Sequence, residues 1–327
     1  MACRELALAR KTRIQTTTLS GLLTGTAGVS SGVIEGLPQT VNWHRYVAMG
    51  SETEQAGTSS LFMEFARYFE LSLALTPAEK EAVYAVRYRV YCEEFGYEPI
   101  EAFLDRQETD EFDDQSIHCL VMHKETGRPA GCVRLVFVEG DNRLPMELHG
   151  GGAIDADFMH RFDHKRDEIC EISRLAVDGA FRRRRGEDAT QFGAHDAFLF
   201  NDEERRTFPL IAVALFLASA AVADIQARPH IFAIMEPFLP KMLGRIGVQF
   251  RRVGEDFQFR GVRAPYYANI NDLVRDVPDD LGLCYHAVKA QFIDVLYPDG
   301  SMARQRSEAG SQRVSSSSTR GTVPRVA

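Results

Sequence analysis

A chain of 327 residues has room for one large domain or two small ones. Its composition, 45% apolar and 26% charged, is that of a soluble globular protein. The net charge of −8 argues against a general nucleic-acid binder, because phosphate recognition is mainly cationic work.

The charge is unevenly spread. Residues 301–327 carry five Arg and one Glu, a net of +4, which leaves −12 for residues 1–300. With Ser315 to Ser318 in a row, residues 301–327 read as a disordered basic tail. Residues 1–66 hold few patterned apolar positions and read as a loosely ordered extension, so residues 67–300 are expected to form a single domain. The Thr/Ser/Gly-rich stretch from Thr16 to Gly32 lacks the apolar core and cleavage site of a secretory signal. Six scattered cysteines, with no C-x-x-C pair, suggest neither a disulfide framework nor a zinc site. A reducing, cytoplasmic setting is the default expectation.

In chain order, the first firm element begins at Thr76. Thr76-Pro77-Ala78-Glu79 offers an N-cap, a Pro at the first helical position and a Glu three residues on, the pattern of a capping box. Val83, Val86 and Val90 then share one helical stripe, with Arg87 at its edge and Tyr91 further along the same side. Residues 117–123 and 129–138 read as strands joined by a Lys124–Arg128 turn, and residues 169–177 as a third strand. A helix is expected from about Glu187. The uncharged stretch from Thr207 to Ala223 is at the short end for a membrane span and reads better as a buried core helix. A strand at residues 230–235, a helix at 237–245 and a strand at 248–253 follow. The order is that of an α+β sandwich on a mixed sheet, which alone fixes no function.

Two esterase-like patterns fall away. Gly28-Val29-Ser30-Ser31-Gly32 matches G-x-S-x-G and His149-Gly150-Gly151-Gly152 matches an oxyanion loop, but their order is the reverse of that in lipases. The acidic block Glu108–Asp114 is more telling. Acidic runs are usually solvated loops, and a hard cation could use these carboxylates, but no further ligands stand at a known spacing, so no metal is expected. Arg87 upstream and Arg134 downstream offer partners, and such arginine–carboxylate sets can hold the charged ends of a small substrate. Arg134 interrupts the apolar strand Gly131–Phe137, where a structural salt bridge explains it as well as substrate binding does. In Glu171-Ile172-Ser173-Arg174, strict alternation puts Glu171 and Ser173 on one face and Arg174 on the other, unless a bulge intervenes. A carboxylate buried there could have a raised pKa and act as a general base on an amine. Arg182-Arg183-Arg184-Arg185-Gly186, ahead of the expected helix, is either a solvated run or a phosphate cradle.

Together these residues resemble the acyl-homoserine-lactone (autoinducer) synthases and the N-acyl amino acid synthases, variants of the GNAT acyltransferase fold. The family's R-x-x-V/I-F pattern reads here Arg87-Tyr88-Arg89-Val90-Tyr91, with Tyr97 in place of a Trp. E-x-D-x-F-D appears as Glu108, Asp110, Phe112 and Asp113, G-x-x-R-L as Gly131, Arg134 and Leu135, and E-x-S-R as Glu171, Ser173 and Arg174. Phe181–Glu187, Met235-Glu236-Pro237 and Arg263-Ala264-Pro265-Tyr266 resemble, more narrowly, acyltransferases associated with the PEP-CTERM/exosortase system.

The resemblance implies a GNAT-like fold, with a central mixed, mostly antiparallel sheet flanked by helices. It implies transfer of a fatty acyl group from an acyl carrier protein or coenzyme A thioester to a small amine, with no tightly bound cofactor. Glu171 would be the base. Arg87, Asp110, Asp113, Arg134 and Arg174 would shape the amine site, with Tyr91, Tyr97, Glu108, Phe112 and Ser173 around the substrate. Arg182 to Arg185 and Gly186 would face the donor's phosphate or the carrier's acidic surface. Asp188, where a small residue is expected, favours a carrier-protein donor. No membrane span or nucleic-acid partner is expected, while peripheral membrane contact stays open. The rivals are an acetyl-coenzyme A-dependent GNAT enzyme, a lactone synthase and a non-catalytic acyl-binding protein.

Overall fold

Eight strands form one sheet, and a single parallel pairing within it creates the opening on which the rest depends. The computed structural model describes residues 65–182 and 208–299. Residues 1–64 of the expected extension over 1–66, the tail over 301–327, Ser30 and the arginines from 183 to 185 with Gly186 lie outside them, while Phe65 and Ala66 are buried in the core.

Strand β1 (Phe69–Leu73) comes before the first element the sequence announces. Helix α1 (Pro77–Arg87) follows, and its capping box is complete: the Glu79 N–H donates to Thr76 Oγ1 at 3.3 Å and the Thr76 N–H to Glu79 Oε2 at 2.8 Å. Val83, Val86 and Val90 are fully buried, each worth roughly 1.5–3 kcal/mol of transfer free energy. The helix then widens into π-helical turns over Tyr88–Glu94, a geometry that recurs at functional sites.

The antiparallel strands β2 (Ser116–His123) and β3 (Arg128–Phe137) form the expected hairpin. Helix α2 (Pro145–His149) precedes β4 (Ile169–Val177). Helix α3 (Phe208–Ile225) is the buried apolar helix, and no described helix is long and apolar enough to cross a membrane. Beyond it come β5 (His230–Met235), α4 (Leu239–Arg245), the two-residue strands β6 (Arg251–Arg252) and β7 (Phe257–Gln258), β8 (Val262–Asn269), α5 (Ile270–Asp276) and α6 (Asp279–Leu296). The strand expected over 248–253 is thus reduced to two paired residues.

The sheet runs β1-β2-β3-β4-β5-β8-β6, with β7 also on β8. Among the described residues only β4 and β5 are parallel, giving the mixed, mostly antiparallel α+β sheet that the sequence implies. On one face α1 packs Val83 and Val86, and the π-helical turns pack Tyr91, against Leu120, Cys132 and Ala176. On the other, α3 covers Cys119, Val121, Val133, Leu135 and Ile172. The five described cysteines are buried, and none is in a disulfide.

Two irregularities shape the centre. β4 and β5 pair only from Ile169↔His230 to Glu171↔Phe232, yet β4 continues to Val177 and β5 to Met235, so the two strands part just past Glu171. Between β3 and β4 the register slips: Arg134 faces Ser173 while Cys132 faces Ala176. Two residues of β4 therefore oppose Val133 alone, a bulge, and Arg174 takes a left-handed φ of 52°.

Candidate active site

The cleft where β4 and β5 part has about 770 Å³ of empty space, counted to its open mouth. Its lining includes Glu171, Ser173 and Arg174 from β4, Tyr91 and Tyr97 from the α1 side, and His149 from α2. Phe259, Arg260 and Arg263 close it from the β7–β8 turn and β8.

Behind this wall is a buried charge network. Arg87 Nε donates to Glu108 Oε2 at 2.5 Å, and Arg87 Nη1 to Asp113 Oδ1 at 2.6 Å. Arg134 Nη1 donates to the same Asp113 oxygen at 2.8 Å and to Asp110 Oδ1, while its Nε reaches Ser173 Oγ at 3.1 Å. Arg174 completes the set through Asp110 Oδ2 at 2.8 Å and Glu108 Oε1 at 3.1 Å. The acidic loop is shaped to serve it: Asp110 Oδ1 accepts the Phe112 N–H at 2.9 Å and Asp113 Oδ2 the Asp110 N–H at 2.8 Å. Phe112 lies under the Arg134 guanidinium, 5.8 Å from its carbon.

The network's titration follows from its geometry. Burial would lower the Arg87 pKa, but Glu108 and Asp113 outweigh it and hold the pKa above its ordinary value. Burial would raise Asp113, yet Arg87 and Arg134 bring it well below the carboxylate range. His118, 3.7 Å from Asp113, is pushed down to about 3 by burial and by Arg87, and is therefore neutral at ordinary pH.

The bulge decides where Arg174 goes. It resets the alternation, so Arg174 joins Ser173 and Arg134 around the acidic loop instead of facing α3. Its guanidinium lies 5.7 Å from the Tyr91 ring, whose hydroxyl donates to the Leu175 carbonyl at 2.9 Å.

Glu171 is 2% exposed and accepts the Met146 N–H at 2.7 Å on Oε2. Burial pushes its pKa up to about 8, against the opposing effect of that hydrogen bond. The donor is held in turn. Glu147 accepts the Leu144 N–H at 2.7 Å and is gripped by both Arg166 Nη1 at 2.9 Å and Nη2 at 2.6 Å, which fixes the start of α2.

Of the residues the sequence singles out, Tyr91, Tyr97, Glu171, Ser173 and Arg174 thus line the cleft. Arg87, Glu108, Asp110, Phe112, Asp113 and Arg134 are assembled beside it but do not line it. Arg182 ends the short helix Gly179–Arg182 at the close of the described segment, and Arg183, Arg184, Arg185 and Gly186 lie outside it. Among the described residues no group of His, Cys, Asp or Glu could hold a metal ion.

Sequence reasoning missed several cleft residues. His149, set aside with the lipase-like pattern, stacks on Phe259 with ring centroids 4.8 Å apart. Its pKa is lowered, by burial first and then by Arg174. Glu98 pairs with Arg260 and lies 3.9 Å from Arg174, and Glu236 pairs with Arg263. Glu98 and Arg260 carried no signal in the sequence, whereas Glu236 and Arg263 stand in the segments quoted for the narrower resemblance.

A second, apolar pocket, whose space counted out into open solvent is about 500 Å³, lies between β4, β5 and α3 on one side and α5 on the other. Its lining includes Ile172, Val213, Phe216, Leu217, Ile231 and Leu273, with no charged residue. Ile172 and Phe216 line both spaces.

Residues 86–191 match the acetyltransferase (GNAT) domain model. The match spans the network, the bulged strand and Glu171. No curated protein matches the chain. Several solved structures are similar at low identity. TofI, in a ternary complex with an inhibitor and MTA, is 19% identical over 64% of this chain and 98% of its own, with a TM-score of 0.45. BjaI, a CoA-dependent acyl-homoserine lactone synthase solved with SAM and isopentyl-CoA, is 16% identical over 64% and 81%, with a TM-score of 0.42. FeeM, an N-acyl amino acid synthase from uncultured soil microbes, is 13% identical over 65% and 96%, with a TM-score of 0.43.

Proposed function

We propose that this chain is an N-acyltransferase that moves a fatty acyl group from a thioester, on acyl carrier protein or coenzyme A, to the amine of a small molecule. The observation that carries the fatty-acyl assignment is the junction of a polar cleft with an uncharged cavity at Ile172 and Phe216. An acetyl group needs no such space. A long alkyl chain does, at about 0.8 kcal/mol for each methylene removed from water.

In this reading the thioester carbonyl lies beside β4, where the strands part. Glu171 takes a proton from the acceptor's ammonium, and the freed amine nitrogen attacks the carbonyl carbon. The C–N bond forms, the C–S bond breaks, and the thiolate leaves to be protonated. Main-chain N–H groups of β4 facing the gap, no longer committed to β5, suit the oxyanion. Arg174, with Tyr91 and Tyr97, positions the acceptor. Arg87, Arg134, Glu108, Asp110 and Asp113 act through Arg174 and the bulge. An amino acid is the acceptor class we favour, because the cleft lining carries both signs of charge in the Glu236–Arg263 pair, with Arg260, held by Glu98, beside it. Glu236 and Arg263 belong to the segments that resemble acyltransferases of the PEP-CTERM/exosortase system, and their pairing at the cleft supports that narrower kinship. We place the reaction in the cytoplasm, where acyl thioesters are made.

The test is incubation of the full chain with short- and long-chain acyl carrier protein, the matching acyl-coenzymes A and a pool of amino acids and amines. Mass spectrometry should find an N-acyl product with a long chain. Absence of any N-acyl product across donors would refute the assignment, and product from acetyl-coenzyme A alone would favour the acetyltransferase reading.

A further inference from the structure

Ile172 and Phe216, as the side chains common to both cavities, form the wall between them. The two are equally buried, each 6% exposed, but differ in setting. Ile172 belongs to the central sheet, opposite Leu135. Phe216 projects from the middle of α3, and from 209 to 225 it is the single aromatic residue in a run of aliphatic, small and polar side chains. One turn away on either side along the same helix face stand the small residues Ala212 and Ala220. The Phe216 ring meets that of Phe250 edge-on, with centroids 6.3 Å apart.

We infer that Phe216 is a specificity-determining gate, whose ring sets how far an acyl chain entering from the cleft can run into the apolar cavity. This rests on the acyl-transfer reading above. With the ring across the junction, a chain ends within the cleft. With a smaller side chain at 216, the chain passes into a space walled by Val213, Leu217 and Leu273 and ending near Tyr285, whose hydroxyl is occupied by Asp224. Preferred chain length therefore follows the size of the residue at 216, because methylenes without a place to go lose their transfer energy and a blocked junction adds steric cost.

The experiment compares the natural chain with Phe216→Ala, Phe216→Leu and Phe216→Trp. Each receives short, medium and long saturated acyl donors, and kcat/KM is measured for each length. A parallel measurement follows displacement of a fluorescent fatty acid, which needs no turnover. Phe216→Ala and Phe216→Leu should move the preference toward longer chains. Phe216→Trp should lower long-chain kcat/KM by about tenfold or more against short-chain. Fatty-acid affinity should rise with Ala and fall with Trp. Unchanged length profiles and affinities in folded variants overturn the gate while leaving acyl transfer standing. Failure of the natural chain to transfer any acyl group sinks the transfer reading itself.

Discussion

Arg87 and Glu108 meet with Nε 2.5 Å from Oε2, and with side chains 0% and 1% exposed neither is available to a ligand in the cleft. Removing one partner of such a pair leaves a buried charge uncompensated. Arg87→Ala should therefore destabilise the fold by about 3–5 kcal/mol, read as a lower urea midpoint. A variant as stable as the natural chain would show that Arg87 is not part of the scaffold.

Arg174 shares the same carboxylate but lies at the cleft, with 12% of its side chain exposed. Its replacement should act on function more than on folding. Arg174→Ala is expected to raise the acceptor KM by about tenfold or more while lowering stability less than Arg87→Ala. Steady-state kinetics beside urea unfolding separate the two effects, and equal stability losses with an unchanged KM would remove Arg174 from the binding role.

The contrast between these arginines marks how far the sequence could be read. Local chemistry was legible: Thr76 and Glu79 specify a cap, and the apolar runs at 169–177 and 230–235 specify strands whose bounds match. The charged partners of Arg87 and Arg134 were visible as residue types. What stayed hidden depends on pairing between distant segments. The side taken by Arg174 follows from a bulge against β3, which alternation alone cannot place. β8 carries Arg263 and Pro265, which spoil a strand pattern, yet β5, β6 and β7 all pair with it. Phe216 and His149 gain meaning only from what α3 and α2 face.

Gly131, part of the quoted G-x-x-R-L block, owes its place to packing. A Cβ there would stand 2.9 Å from Ile211 Cγ2 and 3.0 Å from the Ala176 carbonyl oxygen, where α3 crosses the sheet closely. Gly131→Ala should cost about 1–3 kcal/mol through overpacking, measured as a lower urea midpoint with an unchanged slope. A neutral outcome would mean that α3 can retreat from the sheet freely.

Glu171 titrates differently in the folded and unfolded chains: burial raises it from an ordinary 4.5 to about 8. Between those values the folded state keeps a proton that the unfolded state has lost. Stability from this group is therefore full below the ordinary value and is lost as pH rises toward and through about 8, with a ceiling of about 5 kcal/mol. Glu171→Gln, which cannot lose that proton, should flatten this part of the unfolding profile. It should also lower kcat by about 100-fold or more if Glu171 is the base. Full activity in the Gln variant would exclude that role.

Met146 offers a finer probe, because the N–H it donates to Glu171 Oε2 stabilises the carboxylate and holds the pKa below where burial alone would set it. Met146 is the second residue of α2, just after Pro145, and proline in the first turn of a helix takes no intrahelical hydrogen bond away. Met146→Pro should therefore keep the helix start and delete the donor while also losing packing of a fully buried side chain, and Met146→Leu should keep both the donor and most of that packing. The remaining charges acting on Glu171, namely Arg134, Glu147 and Arg174, are untouched by either change. With Glu171 as base, kcat/KM rises with pH as its proton is lost. That limb, centred near pH 8 in the natural chain, should move to higher pH in Met146→Pro and stay in place in Met146→Leu. Coincident limbs in all three proteins would show that the group governing the rate is not the one Met146 holds.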